Sequence, residues 1–375
     1  MKNLKIEQDP VRLGKNWLIN SGIQSAPGGF YAWIDLDAQS PSFLYSEITG
    51  YAITTLLFLN RLSPEGVLID RAQNAADWLL REAMHPCGGF KARAYQDGIN
   101  ADPLYSFNSE NIFSFDSGMV LYGLVNLYKQ TKQDKLLSSC RECADFLINK
   151  MQNPDGSFNS IFSAKTNVNI NPGDKWSSQP GSFHAKIALG LTDLFEITNE
   201  IRYRESAIKV CEFALTKQDA TGRFITDNHA QTTHLHPHAY TIEGLIYAGT
   251  AFKIAKFIDQ AQKAANWMFK HVDKNGVNDI YSPKNAKFGH FQRSDILAQA
   301  MRLGLIFNLD KTSLLKARLE NYQYLTEDSR QSGGFLYNLQ EKHLNSWCSM
   351  FALQALVLEQ NPGLIAKNKK VELFI

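Results

Sequence analysis

Six short segments hold the residues of this chain that could do chemistry. They read Tyr45-Ser46-Glu47, Phe113-Ser114-Phe115-Asp116, Ser182-Phe183-His184, His236-Pro237-His238-Ala239-Tyr240, Gln292-Arg293-Ser294-Asp295 and Asn345-Ser346-Trp347. Two carboxyls in unequal surroundings can divide acid and base work, because burial raises a carboxyl pKa and a nearby cation lowers it. Glu47 and Asp116 are the candidates for those roles, which cleavage of a glycosidic bond requires. His184 and His238 are candidate proton carriers, since imidazole titrates near neutral pH. Arg293 suits a bidentate grip on a carboxylate such as that of a uronic acid. Asp295, His236, Tyr240 and Trp347 stand in the same segments. With Tyr51, Tyr105 and Trp176 they offer the polar edges and flat faces that hold sugar rings, and all are candidate substrate-binding residues.

Part of this set also reads as helix capping. Ser46, Ser114, Ser294, Ser346 and Asp295 suit the first turn of a helix. Histidine and arginine do not, because the helix dipole disfavours positive charge there. His184, His236, His238 and Arg293 therefore call for an anionic neighbour, from Glu47, Asp116 or a ligand.

The elements that must bring these segments together repeat six times. Glycine turns read Gly28-Gly29-Phe30, Gly88-Gly89-Phe90, Gly156-Ser157-Phe158, Gly222-Arg223-Phe224, Gly276-Val277-Asn278 and Gly333-Gly334-Phe335, with first glycines 60, 68, 66, 54 and 57 residues apart. Such a period marks a repeat architecture. Before each turn, amphipathic helices are predicted over 10–21, 70–83, 135–151, 203–217, 257–272 and 312–326, each with one apolar face. After each turn, helices are predicted over 47–62, 116–130, 184–196, 239–255, 295–307 and 346–359. Runs such as Ala185-Lys-Ile-Ala-Leu-Gly-Leu191 make these apolar nearly all round, which means burial on every side. The pattern predicts an all-α (α/α)6 toroid, a single domain over 1–375, with the apolar helices inside and the amphipathic ones outside. Parallel inner helices would gather the six segments at one funnel. The long connections 91–114, 161–181, 225–235 and 278–290 would lie over its mouth, with Asn167–Trp176 as a candidate lid.

The bulk properties exclude several classes. The composition is 44 % hydrophobic and 20 % charged with a net charge of +2, so nothing marks a nucleic-acid partner. Lys367–Lys370 reads as a short solvated basic tail. Residues 1–9 lack a signal-peptide core, and no window suggests membrane insertion. Cys87, Cys140, Cys143, Cys211 and Cys348 fit reduced thiols in a cytoplasm. Cys140 and Cys143 share a helix face, but no second pair completes a zinc site. No metal and no cofactor is called for, and the oligomeric state stays open.

The Gly-Gly-Phe turns resemble those of the terpene cyclase and protein prenyltransferase toroids, but the acidic runs of those enzymes are missing. The polar set at the inner-helix ends resembles better the six-hairpin carbohydrate group: unsaturated glucuronyl hydrolases, N-acylglucosamine epimerase-type toroids, and uronate epimerases and lyases. Over nearly its full length the chain is also similar to proteins found with bacterial capsule and exopolysaccharide gene sets. The hydrolase resemblance implies Asp116 as one catalytic aspartate, with His184 standing where a second would be. The epimerase resemblance implies histidines and an arginine at the funnel, and His184, His238 and Arg293 agree in kind. The expectation is an enzyme of bacterial polysaccharide, capsule or O-antigen metabolism, acting by hydrolysis on an acidic sugar or oligosaccharide. Epimerisation or elimination is the near alternative. A glycan- or protein-binding toroid without catalysis, and an isoprenoid-handling one, are the further alternatives.

Overall fold

The computed structural model describes residues 9–96, 100–171, 173, 175–365 and 371–375. The segment before Asp9, the basic run Lys367–Lys370, and Pro172 and Asp174 of the candidate lid lie outside the described residues. Six helices form an inner ring: α2 (Ser46–Leu62), α4 (Ser114–Thr131), α6 (Ala188–Thr198), α8 (Leu235–Ala251), α10 (Ser294–Phe307) and α12 (Ser346–Gln360). A 3₁₀ segment, Ser182–Ile187, leads into α6. Each inner helix packs on the next, and α12 packs on α2, so the ring closes. The outer helices are α1 (Pro10–Asn20), α3 (Gly66–Trp78), α5 (Asp134–Phe146), α7 (Ile201–Leu215), α9 (Ala255–Lys270) and α11 (Thr312–Glu320). This is the (α/α)6 toroid that the repeat predicts.

Two features differ from the sequence reading. A hairpin built around each glycine turn would pair every outer helix with the inner helix that follows it. In space α3, α5, α7, α9 and α11 pack on the inner helices that precede them, and α1 packs on α12. The reason is the shortness of the inner-to-outer connections, which forces antiparallel neighbours. The sixth outer helix also stops early, at Glu320.

The glycine turns are the joints of the ring. All six first glycines have φ between 89° and 116°, a left-handed region that a side chain disfavours. Five of the six seats are as restrictive as the dihedrals, while at Gly276 a Cβ would crowd only the Leu297 side chain, at 2.9 Å. A Cβ at Gly28 would stand 2.1 Å from the Asn74 carbonyl oxygen of α3, and one at Gly333 would stand 2.2 Å from the Leu13 oxygen of α1. Glutamines lock the seats. Gln24 Nε2 donates to Gly28 O at 2.9 Å and to Arg71 O at 3.0 Å. Gln323 Nε2 donates to Gly333 O at 3.1 Å and to Pro10 O at 2.8 Å, tying the last repeat to the first.

The turns also set the inner helices. The buried N–H groups of Phe30, Phe90 and Phe335 donate to Thr49 Oγ1, Ser117 Oγ and Ser349 Oγ at 3.0, 3.1 and 2.9 Å. The serines read as caps pin helices to neighbouring repeats instead. Ser46 Oγ donates to Lys91 O at 2.5 Å and Ser294 Oγ to Leu336 O at 2.6 Å. The N-cap residues of α2, α4, α8 and α10 make no side-chain cap bond, although in the first turn of α10 Asp295 Oδ1 accepts from Ile296 N at 2.8 Å. The positive ends of α2, α4 and α8 are thus left to the funnel. Small antiparallel sheets cover it. One pairs Trp33–Asp35 with His343–Asn345, and another sets Tyr45 opposite Arg93.

Gly28→Ala is expected to lower the unfolding free energy by at least about 2 kcal/mol, from strained φ plus a backbone clash. Gly66→Ala, which meets nothing within 4 Å, is expected to stay within about 1 kcal/mol of the parent or to stabilise it. Urea denaturation followed by tryptophan fluorescence compares them, and equal losses would contradict the role given to the turn.

Candidate active site

The N-terminal ends of the inner helices and the connections above them enclose a cavity of about 340 Å³. Glu47, Asp116, His184, His236, Tyr240, Arg293, Trp347, Tyr105 and Trp176 all line it. A larger hollow of about 530 Å³, lined by His271, His290, Arg318 and Tyr322 among others, lies on the fifth and sixth repeats and contains none of these residues.

One wall is acidic. Glu47 and Asp116 sit in the first turns of the adjacent helices α2 and α4. Burial, and next the charge of Glu47, push the Asp116 carboxyl well above the usual range. Burial raises Glu47 as well, opposed by a hydrogen bond from Tyr45 and by the charges of Lys186 and Arg93. The Tyr45 phenol interacts with both carboxyls. Charges this close titrate as a pair, so one proton is held longer than the other. Asp116 is the better holder: it is 4 % exposed, and its Oδ2 is buried with no hydrogen-bond partner among the described residues.

The opposite wall is a fixed ion network. Arg293 donates through Nε to Asp295 Oδ1 at 3.1 Å and through a second N–H to Oδ2. Trp347 Nε1 donates to the same Oδ2 at 3.0 Å. Burial would raise Asp295, but Arg293 and His236 outweigh it and hold the carboxyl below its usual range. The arginine expected to grip a substrate carboxylate thus already holds one from its own chain. Asp295 is fully buried behind it. His236 Nδ1 lies 2.8 Å from Gln299 Oε1 and 3.3 Å from Asp295 Oδ2. Both are acceptors, so Nδ1 carries the proton and the Nε2 lone pair remains. Burial lowers His236 to about 3.

His184 lines the cavity with both ring nitrogens held. Its Nε2 is 3.2 Å from Ser114 Oγ, and its Nδ1 accepts from Gly181 N at 3.3 Å. Burial lowers it to about 3. Trp176 packs edge-on against Phe183 at 5.2 Å, which fixes that part of the Asn167–Trp176 connection over the mouth.

The structure does not bring His238 or Tyr51 to the cavity wall. His236 and Tyr240 are four residues apart on α8 and share its funnel face, their rings 4.3 Å apart. His238 is two residues from each, about 200° around the helix. It faces the outer ring, where Nδ1 accepts from Phe224 N at 3.3 Å and Nε2 donates to Ala264 O at 3.3 Å. That is the place taken by Thr49, Ser117 and Ser349 in other repeats. Tyr51 lies below the floor, 2 % exposed, with its ring 5.1 Å from Lys186 Nζ.

Sequence reasoning missed several cavity residues. Tyr45 and Arg93 arrive from paired strands, and Lys175 and Tyr337 from connections, where no periodicity signals direction. It also missed a charge network below the floor. Lys186 Nζ is 2.7 Å from Glu243 Oε2, and an Arg302 N–H donates to Glu243 Oε1 at 2.8 Å, all three side chains fully buried. Burial brings Lys186 down to about 8, with Glu243 opposing. Its signal was present: single charges inside otherwise apolar helices. Among the described residues no group of three His, Cys, Asp or Glu side chains is placed to hold a metal ion. No described helix is long and apolar enough to cross a membrane.

No known family model matches this sequence, and no curated protein matches it. Solved structures do match in fold. A sugar epimerase from a ruminal bacterium superposes with a TM-score of 0.74 at 9 % identity, over 92 % of this chain and 98 % of that one. A D-mannose isomerase gives 0.72 at 11 % identity, over 95 % and 98 %. An unsaturated glucuronyl hydrolase from Bacillus sp. GL1 gives 0.67 at 12 % identity, over 94 % and 96 %. The chain thus has the six-hairpin toroid fold of these proteins, as its repeats predict.

The neutral histidines make stability fall with acid. The folded chain holds His236 at about 3 and His238 at about 4, while the unfolded chain takes up protons near 6.5. The unfolded state therefore binds more protons between pH 6.5 and pH 4, and unfolding becomes easier as pH drops through that window. Removing one such histidine must flatten the decline. His238→Gln is expected to lose less stability than the parent between pH 7 and pH 5 in urea titrations. An equal loss would place His238 in a solvated, protonatable site.

Proposed function

We propose that the cavity binds a sugar or oligosaccharide and hydrolyses a glycosidic bond. The observation that carries this reading is the coupled Glu47–Asp116 pair, with an unpartnered buried Asp116 oxygen at an aromatic-lined cavity. Asp116 gives its proton to the departing glycosidic oxygen. Glu47 takes a proton from the water that attacks the anomeric carbon. His184, its ring nitrogens taken by Ser114 and Gly181, shapes the wall, and Tyr105, Trp176, Tyr240 and Trp347 supply stacking faces. Asp295, held by Arg293, orients His236. In this reading the enzyme serves bacterial polysaccharide metabolism in a cytoplasm. The sequence resemblance and five free thiols support that setting.

A second reading rests on His236. A neutral imidazole with a carboxylate behind Nδ1 and a lone pair on Nε2 can take a proton from a carbon beside a carbonyl. Returning it to the other face gives epimerisation, and returning it to the adjacent carbon gives isomerisation.

Proton NMR in deuterated water separates the two. Hydrolysis releases reducing ends without exchange at ring carbons, whereas epimerisation or isomerisation incorporates deuterium without bond cleavage. Glu47→Gln and Asp116→Asn are each expected to cut hydrolytic turnover about 10²- to 10⁴-fold, with sugar affinity nearly unchanged. Turnover that survives both substitutions would remove the acid/base assignment. Loss confined to His236→Asn would favour the second reading.

A further inference from the structure

Arg93 and Lys175 converge on one ring of the cavity wall, and neither has an ion-pair partner among the described residues. Tyr105 is that ring. It stacks on Phe113 with centroids 4.7 Å apart and planes at 5°. Arg93 Cζ lies 4.0 Å from its centroid, and Lys175 Nζ donates to its hydroxyl at 3.1 Å. Arg93 is further held against Phe43 at 4.5 Å and Tyr45 at 4.9 Å. Its Nε is buried without an acceptor, and its hydrogen bond to a side chain is a long 3.5 Å contact with the Tyr95 hydroxyl.

The contrast with the other enclosed arginines is direct. Arg223, Arg293 and Arg302 each hold a carboxylate, from Asp219, Asp295 and Glu243, whereas Arg71, away from the cavity, donates to the Gln24 side chain. Arg93, partly enclosed, and the exposed Lys175 place two positive charges at one ring, and like charges repel unless an anion joins them. The Glu47–Asp116 pair, with one proton held back, compensates only in part. Aromatic packing fixes the guanidinium plane and leaves its N–H edges for a pair of anionic oxygens, which a carboxylate or one O–S–O edge of a sulfate group supplies.

We propose that Arg93 and Lys175, mounted on Tyr105, form the subsite that reads an anionic substituent on the sugar. This makes the substrate an acidic saccharide and assigns its recognition to Arg93 rather than Arg293. The inference rests on the saccharide reading above. The shared chemistry is a ring-borne carboxylate or sulfate ester.

Calorimetric titration with D-glucuronate, its neutral methyl ester, D-glucose and D-glucose 6-sulfate tests it. In the parent protein one or both anionic sugars are expected to bind at least about tenfold tighter than the neutral ones, the size of a charge-assisted hydrogen-bond pair. The tighter of the two anions identifies the substituent. Arg93→Met and Lys175→Met should each shrink that preference, and the double variant should erase it while glucose affinity holds within about twofold. Arg93→Lys, which keeps charge and bulk, should retain part of it if Arg93→Met fails to fold. Equal affinity for charged and neutral sugars in the parent, or a preference that survives the double variant, overturns the subsite. Binding of none of the four sugars overturns the saccharide reading itself.

Discussion

Everything in this molecule depends on how a glycine turn sits on the outer helix beside it. The turn needs a left-handed backbone and leaves no room for a side chain, since a Cβ at Gly28, Gly156 or Gly333 would stand within 2.3 Å of a helix carbonyl oxygen. The chain must therefore cross the outer helix at close range and in one direction. The residue two beyond the glycine then enters the wall, where its N–H meets Thr49, Ser117, His238 or Ser349. Repetition of this joint closes the ring, and closure gathers six helix beginnings that lie far apart in sequence.

The gathered ends are electrically unusual. Three inner helices, α2, α4 and α8, start without a side-chain bond from their N-cap residues, so their positive ends act on the cavity. Two opposite solutions meet there. Asp295 is neutralised by Arg293 and serves as a fixed support for His236 and Trp347. Glu47 and Asp116 lack an ion-pair partner at contact distance among the described residues and are raised by burial instead, which keeps a proton available. Below them Lys186 and Arg302 share Glu243, Arg302 also donates to Gln354 Oε1 and to Ile375 O, and Lys186 acts at long range on Glu47.

Much of this was legible in the residues. Periodicity placed the twelve helices, with ends that differ mainly at α3, α8 and α11. The position at each helix start placed Glu47, Asp116, His184 and Arg293 in one cavity. The limits were directional. His236 and His238 look equivalent in sequence, yet one faces the funnel and the other the outer ring, because α8 begins at Leu235 and so includes both. Arg93 gave no signal, since it lies on a two-residue strand whose partner, Leu44–Tyr45, is decided only by the ring.

The amino-acid sequence alone determined the repeat, the burial of one helix class inside another, and the chemistry collected at the helix starts. Those follow from local rules of period and of glycine backbone freedom, which need no partner. The tertiary structure decided which helices pack together, which histidine reaches the cavity, and which arginine is already neutralised. Those depend on distances between repeats, and a charge meets its partner only when the ring has closed.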